Sequence, residues 1–331
     1  MSTINWLFEI NFAIFSVFVA LFLTELMGGV LLLLAYDRAK AKVLPYIVPI
    51  WEVTGTFAAF WVVTSDFAYP NMLIPVASLF GGLIVVFLIL IVARNASISF
   101  AELITKRGWL DERKLYQAYG LATILIGVVV LIVLSAIVSG AGVDLTTLSF
   151  SLGGWLGNPG SVLYVLGAVV IAVGLAPVFY ALEPLRRLTL PLTVVGVLVE
   201  AGALYLYASS FLTATFLVPA VLTILPALLF QSPRTAPIVS HKLVFAVVTV
   251  VIIFSLSYLV YPTAFHGGIT VDAVSTTGPM VGAFYVLSVA GAVFVGLLMA
   301  LYLTAVRRSM ETPATPRPPA SASTAPNSPY P

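Results

Sequence analysis

The sequence contains no cysteine, only two histidines and very little charge: 8% of its 331 residues are Asp, Glu, Lys or Arg. Without cysteine there is no disulfide, no thiolate-ligated iron–sulfur cluster and no covalent haem attachment through a Cys-x-x-Cys-His motif. The two histidines, His241 and His266, form no paired ligand set. A soluble domain carries about 25% charged residues. This chain instead is 61% hydrophobic, with a mean hydropathy of +1.11. That much apolar surface needs lipid as part of its solvent. A net charge of +2 leaves no footprint for nucleic acid.

What is abundant is apolar run length. A spanning helix needs roughly 20 apolar residues, and candidates lie at 7–36, 44–64, 72–93, 118–139, 161–182, 188–208, 211–230, 243–262 and 280–305. The stretch 188–230 is too long for one span and is divided at Ser209-Ser210 and Thr213. The first run lacks a basic leader and is too long for a cleaved signal, so it reads as a signal anchor. The expected fold is all-α: a polytopic membrane protein of about nine transmembrane helices. The expected organisation is a first four-helix bundle (1–140), an outer loop (141–160), a second bundle with a final helix (161–308) and a disordered Pro-rich cytoplasmic tail (309–331).

The basic residues orient this arrangement. Arg38, Lys40 and Lys42 follow the first helix. Arg94, Lys106, Arg107, Arg113 and Lys114 lie between the third and fourth, Arg186 and Arg187 after the fifth, Arg234 and Lys242 between the seventh and eighth, and Arg307, Arg308 and Arg317 after the ninth. With nine helices all of them fall on one side, opposite Glu9, Asp66, Asp144 and Asp272. The positive-inside rule then places the N-terminus outside and the C-terminus in the cytoplasm of a prokaryotic cell membrane. In the longest basic loop, 95–117, Ser99 and Glu102 have capping-box spacing, and Trp109 suits a membrane interface.

A shift of 144 residues aligns Tyr36 with Tyr180, Trp61 with Tyr205, Ser65 with Ser209, Phe67 with Phe211, Leu73 with Leu217 and Pro75 with Pro219. The offset spans four helices, so the reading is two parallel four-helix repeats plus a last helix. Such symmetry occurs in transporters and elsewhere.

Ionisable groups inside a span are costly and mark function. Glu25, Glu52 and Glu200 lie well inside predicted spans. Glu25 and Glu52 stand about 20 Å and about 15 Å from the basic boundary along neighbouring antiparallel helices, at roughly 1.5 Å per residue. They are therefore candidates to face one another and pass a proton, with Glu200 a weaker candidate. The alternative is a protonated acid bonded to nearby backbone. His241 at a helix start and His266 in an outer loop are badly placed for a buried haem, and Met27 and Met280 read as packing residues. No metal, haem or other cofactor site is expected from this chain. Gly28-Gly29 and Gly81-Gly82 permit close helix approach, or a seat for a lipid or quinone tail.

Thr24-Glu25, Pro49-Ile50-Trp51-Glu52 and Phe67-Ala68-Tyr69-Pro70 together resemble subunit II of cytochrome bd-type quinol oxidases. That family has Thr-Asp-Gly-Phe-Asp-x-Gly in its first helix, Pro-x-Trp-Asp-Gly-Asn at its second, and an aromatic-Pro pair nineteen residues beyond the tryptophan. The run Ser257–Pro262, a polar outer loop through Asp272 and a last helix ending in basic residues are also similar. The chain departs from the family where Glu25-Leu-Met-Gly28 lacks the second aspartate and where Val53-Thr54 replaces Gly-Asn. The resemblance implies a haem-bearing subunit I as partner, carrying two b-type haems and haem d, with quinol as substrate of the complex. It implies a supporting role for this chain, its helix-2 acid lining a cytoplasmic proton path. A proton-coupled secondary transporter and a quinol-binding anchor of another redox complex remain the competing readings.

Overall fold

The computed structural model describes residues 6–104, 109–207, 214–261, 263–265 and 269–311. It is an all-helical membrane fold. Among the described residues, seven helices are long and apolar enough to cross a bilayer.

Helix α1 (Trp6–Leu34) is apolar on every face and free of proline. A helix apolar all round belongs in a core, and α1 is the hub of the bundle. In its most apolar stretch 61% of residues are buried inside the protein, against 11% in α4 (Gly81–Leu103). It packs on α2 (Tyr36–Ala68), α5 (Glu112–Ser139), α7 (Pro159–Phe179), α11 (Lys242–Val260) and α13 (Pro279–Glu311). Close approach to α5 is set by two glycines. A methyl group on Gly29 would stand 3.0 Å from the Gly120 carbonyl oxygen, and one on Gly120 2.7 Å from that of Gly29. Gly28 likewise leaves room for Ile47 and the Tyr180 hydroxyl. Gly81 and Gly82 face nothing within 4 Å, so that pair starts a helix and does not seat one.

Several elements differ from the expected boundaries for local reasons. The basic segment after α1 is itself helical: only Ala35 breaks the chain before α2 begins at Tyr36. The expected third span divides at Phe80 into α3 (Pro70–Leu79) and α4. Phe80 is 1% exposed, anchored in an outer cluster with Leu79, Ala136 and Trp155. Ser99 and Glu102 lie inside α4 and start no helix. The cap of α5 is Asp111, whose carboxylate accepts from the Lys114 backbone N–H at 2.7 Å. Trp109 is 79% exposed at this end, as an interfacial tryptophan would be.

The segment between α5 and α7 is a built structure. Strands β1 (Val143–Asp144) and β2 (Ser149–Phe150) form an antiparallel hairpin, followed by α6 (Leu152–Leu156), whose Trp155 donates to Ser135 Oγ at 2.8 Å. Asp144 Oδ1 accepts from the Thr146 backbone N–H at 2.8 Å and its hydroxyl at 2.6 Å. These bonds hold the carboxyl down at about 2.

Helices α8 (Arg186–Tyr207), α9 (Ala214–Leu229), the short α10 (Ala236–Val239) and α11 complete the second half. A second hairpin, β3 (Thr263–Phe265) with β4 (Ile269–Thr270), and α12 (Val271–Val274) lead into α13. Helix α1 packs on α2, and α7 on α8; α4 packs on α5, and α9 on α11; α1 touches α11, and α7 touches α5. Each pair maps onto another when the two halves are exchanged. Of the repeat positions, Ser209 and Phe211 lie outside the described residues, as do His266 and the tail from 312.

At the basic end, two lysines hold the C-terminus of α7 and the turn that follows it. Lys242 donates to the Phe179 carbonyl and Lys42 to that of Ala181, while the Lys242 ammonium sits 3.9 Å from the Phe179 ring centre. A cation at a helix C-terminus satisfies free carbonyls and complements the dipole.

Candidate functional site

Glu25 lies nine residues before the end of α1, Arg94 nine before the end of α4, and Tyr119 seven after the start of α5. At roughly 1.5 Å per residue all three stand about 10–14 Å from the same end of the bundle. They meet there. Arg94 donates to Glu25 Oε2, and the Tyr119 hydroxyl donates to the same oxygen at 2.8 Å. Glu25 and Tyr119 are 0% exposed and Arg94 6%. The guanidinium also lies 5.5 Å from the Tyr119 ring centre and donates to Asn95 Oδ1 at 3.2 Å. Beside them Tyr180 donates to the Thr24 carbonyl at 2.9 Å. Glu25 Oε1 and Arg94 Nε are buried without a protein partner.

This buried ion pair replaces the expected Glu25–Glu52 pair. Glu52 is exposed on α2, while Ile47, five residues earlier, is fully buried and faces Gly28. Five residues turn a helix through roughly 140°, which carries Glu52 to the far side of α2 from Glu25. Glu200 is separate again. It sits on α8 against Gly167 of α7, where a methyl on that glycine would lie 2.9 Å from Glu200 Cγ. The structure thus brings none of the three acids together.

Arg94 and Tyr119 were not legible as site residues from charge counting, which assigned Arg94 to a basic loop. A usable signal was present. Arg94, Ile98 and Ala101 recur at i, i+4 and i+7, and all three are buried. The core-facing stripe of α4 therefore runs past the arginine.

As for cofactors, His241 is exposed at the start of α11, and Met27 packs among Leu26, Val30 and Leu31 in the main core. Among the described residues no three His, Cys, Asp or Glu side chains converge as a metal site.

No model of a known protein family matches the sequence, and no curated protein does. Comparison with solved structures gives a full-length likeness. A chain in the structure of bd oxidase from Geobacillus thermodenitrificans superposes with a TM-score of 0.70 over 92% of this chain and 98% of its own, at 17% identity. The fold is that of a bd oxidase chain. On that bd oxidase fold, Thr24-Glu25 occupies the core of α1 and Trp51 packs against the main core beside exposed Glu52. Tyr69-Pro70 forms the α2–α3 junction.

Proposed function

We propose that this chain is the haem-free second subunit of a bd-type quinol:dioxygen oxidoreductase, supporting a haem-bearing subunit I. The observation that carries the reading is the end-to-end likeness to a bd oxidase chain, which leaves little of either chain unmatched. The motif residues of α1 and α2 support it independently. The reading assigns the two b-type haems, haem d and the chemistry of quinol and dioxygen to the partner.

In this reading nine helices cross the membrane: α1, α2, α4, α5, α7, α8, α9, α11 and α13. Helix α11, at 19 residues, covers about 28 Å, close to the hydrocarbon thickness. The exchange of packing pairs between halves supports two parallel repeats. The N-terminus lies outside and the basic end faces the cytoplasm, with Arg94 withdrawn into the bundle by Glu25. Among the proton-path candidates Glu52 is favoured. Its carboxyl reaches the surface of the chain, where a partner can receive a proton, whereas Glu25 is committed to Arg94 and Tyr119 and Glu200 stands apart.

Purifying the tagged chain from its native membrane and recording an absorption spectrum tests the reading. Haem d and haem b bands in the preparation, lost from this chain when the subunits are separated, are expected. A colourless single chain points to a transporter, and an iron–sulfur partner points to a quinol-binding anchor. Either result removes the proposal.

A further inference from the structure

Helix α7 ends in a turn that draws cations from two other helices. The Leu182 backbone N–H donates to the Pro177 carbonyl at 2.9 Å, and that of Ala181 to the Val178 carbonyl at 3.2 Å. This is the bonding of a Schellman cap, whose left-handed position is usually glycine. Here it is Ala181, at a φ of 51°. A residue with a side chain stays in that region only when its surroundings hold it there, and such positions gather at ligand clamps. Lys42 of α2 bonds the Ala181 carbonyl, and Lys242 of α11 bonds the Phe179 carbonyl two residues away. Tyr46, one turn beyond Lys42, joins them. Its ring centre lies 5.0 Å from that of Phe179 and 5.6 Å from the Lys242 ammonium. The same ammonium stands 4.7 Å from the Tyr180 ring centre.

Two ammonium groups gathered on one turn repel each other and call for an anion. Among the described residues no carboxylate pairs with either. The acids nearest in sequence are engaged elsewhere: Asp37 with Arg113 at 3.3 Å and Glu183 with Arg186 at 3.1 Å. An ammonium has three N–H donors, and each lysine gives one to a backbone carbonyl. Lys42 is exposed and Lys242 half-buried, so an anion reaches the donors that remain. This end of the bundle is the basic boundary of the bilayer, and basic pockets between helices at that level hold lipid head groups. Next to Lys242, Leu243, Val247 and Val251 follow at four-residue spacing on one face of α11, 47–66% exposed. An acyl chain finds an apolar strip there. We infer that Lys42, Lys242 and the Phe179–Ala181 turn form a binding site for a phosphate group, with the strip on α11 favouring that of an acidic phospholipid. The site stands whether or not the chain belongs to an oxidase.

The tagged full chain is purified with the partners it carries and placed in phosphatidylcholine nanodiscs. A minor share of the lipid is phosphatidylglycerol with a diazirine on its acyl chain. After irradiation the adducts are mapped by peptide mass spectrometry. Label is expected on α11 over residues 243–251, and excess unlabelled phosphatidylglycerol should remove it. Lys42→Gln and Lys242→Gln keep an N–H for the carbonyl and lose the charge. Each should lower that label about fivefold, the effect of one basic residue at a membrane surface. Lys42→Arg and Lys242→Arg should retain it. Lys114→Gln, at the same end but on α5 beside Asp111, should leave it unchanged, which separates a site from general surface charge. Lys42 is exposed, so Lys42→Gln alone carries the test where Lys242→Gln disturbs folding. A second arm adds inorganic phosphate against chloride of equal ionic strength. Competition by phosphate beyond that of chloride assigns the site to free phosphate as well, and no competition assigns it to the lipid head group; either result keeps the site. Label spread evenly over all spans, label removed equally by chloride through screening, or full label in Lys42→Gln would each overturn the inference.

Discussion

Arg94 is the residue on which the interior depends. Breaking a buried ion pair by removing one partner strands the other charge, at a cost of about 3–5 kcal/mol. Arg94→Leu should therefore lower the thermal stability of the detergent-extracted protein sharply. The triple replacement Glu25→Leu, Arg94→Leu, Tyr119→Phe should recover most of that loss, because a well-packed apolar substitute leaves nothing unpaired. Melting curves of the two variants side by side check this; equal melting of Arg94→Leu and wild type would show that the pair holds little. Sequence reasoning found Glu25 but paired it wrongly. Depth along neighbouring helices does not fix which way a side chain points. Ile47, buried against Gly28, fixes the rotation of α2 and turns Glu52 outward.

At the scale of elements, long apolar runs made the helices visible, and their break points were hidden. Phe80 ends α3 because its ring is buried in the outer cluster, a tertiary cause absent from local sequence. The helical start of α2 was masked by its charges, which a helix tolerates beyond the membrane. The α1–α5 contact belongs here too. Gly29→Ala or Gly120→Ala must push backbone away from backbone, and overpacking of this kind costs about 1–3 kcal/mol. Gly81→Ala, with nothing within 4 Å, should be neutral or slightly stabilising. Melting temperatures of the three variants decide between these outcomes. The β1–β2 hairpin offers a pH test. Asp144 is held at about 2 by Thr146 and Thr147, below an unfolded value of about 3.9. Its contribution is complete above the unfolded value and is lost as pH falls through the folded one. Amide exchange at Thr146 and Thr147, corrected for intrinsic rate, should rise as pH drops from about 4 toward 2, and Asp144→Asn should remove that dependence. A flat profile in the wild-type protein would contradict the assignment.

For the whole molecule, the all-helical membrane fold was legible because composition alone excludes a water-soluble core of this size. The hub role of α1 was not, since several runs are equally apolar and only packing tells which lies inside. In the proposed function, the work of the whole molecule is done together with a second chain. Glu52→Gln should slow quinol-driven turnover of the complex while its haem content stays unchanged; wild-type turnover would remove Glu52 from the proton path. The most direct measurement is oxygen uptake by the complex purified through a tag on this chain. With reduced quinol supplied, uptake that follows the co-purified haem is the predicted result. A preparation that retains all its partners and consumes no oxygen would contradict the assignment of this chain to a quinol oxidase.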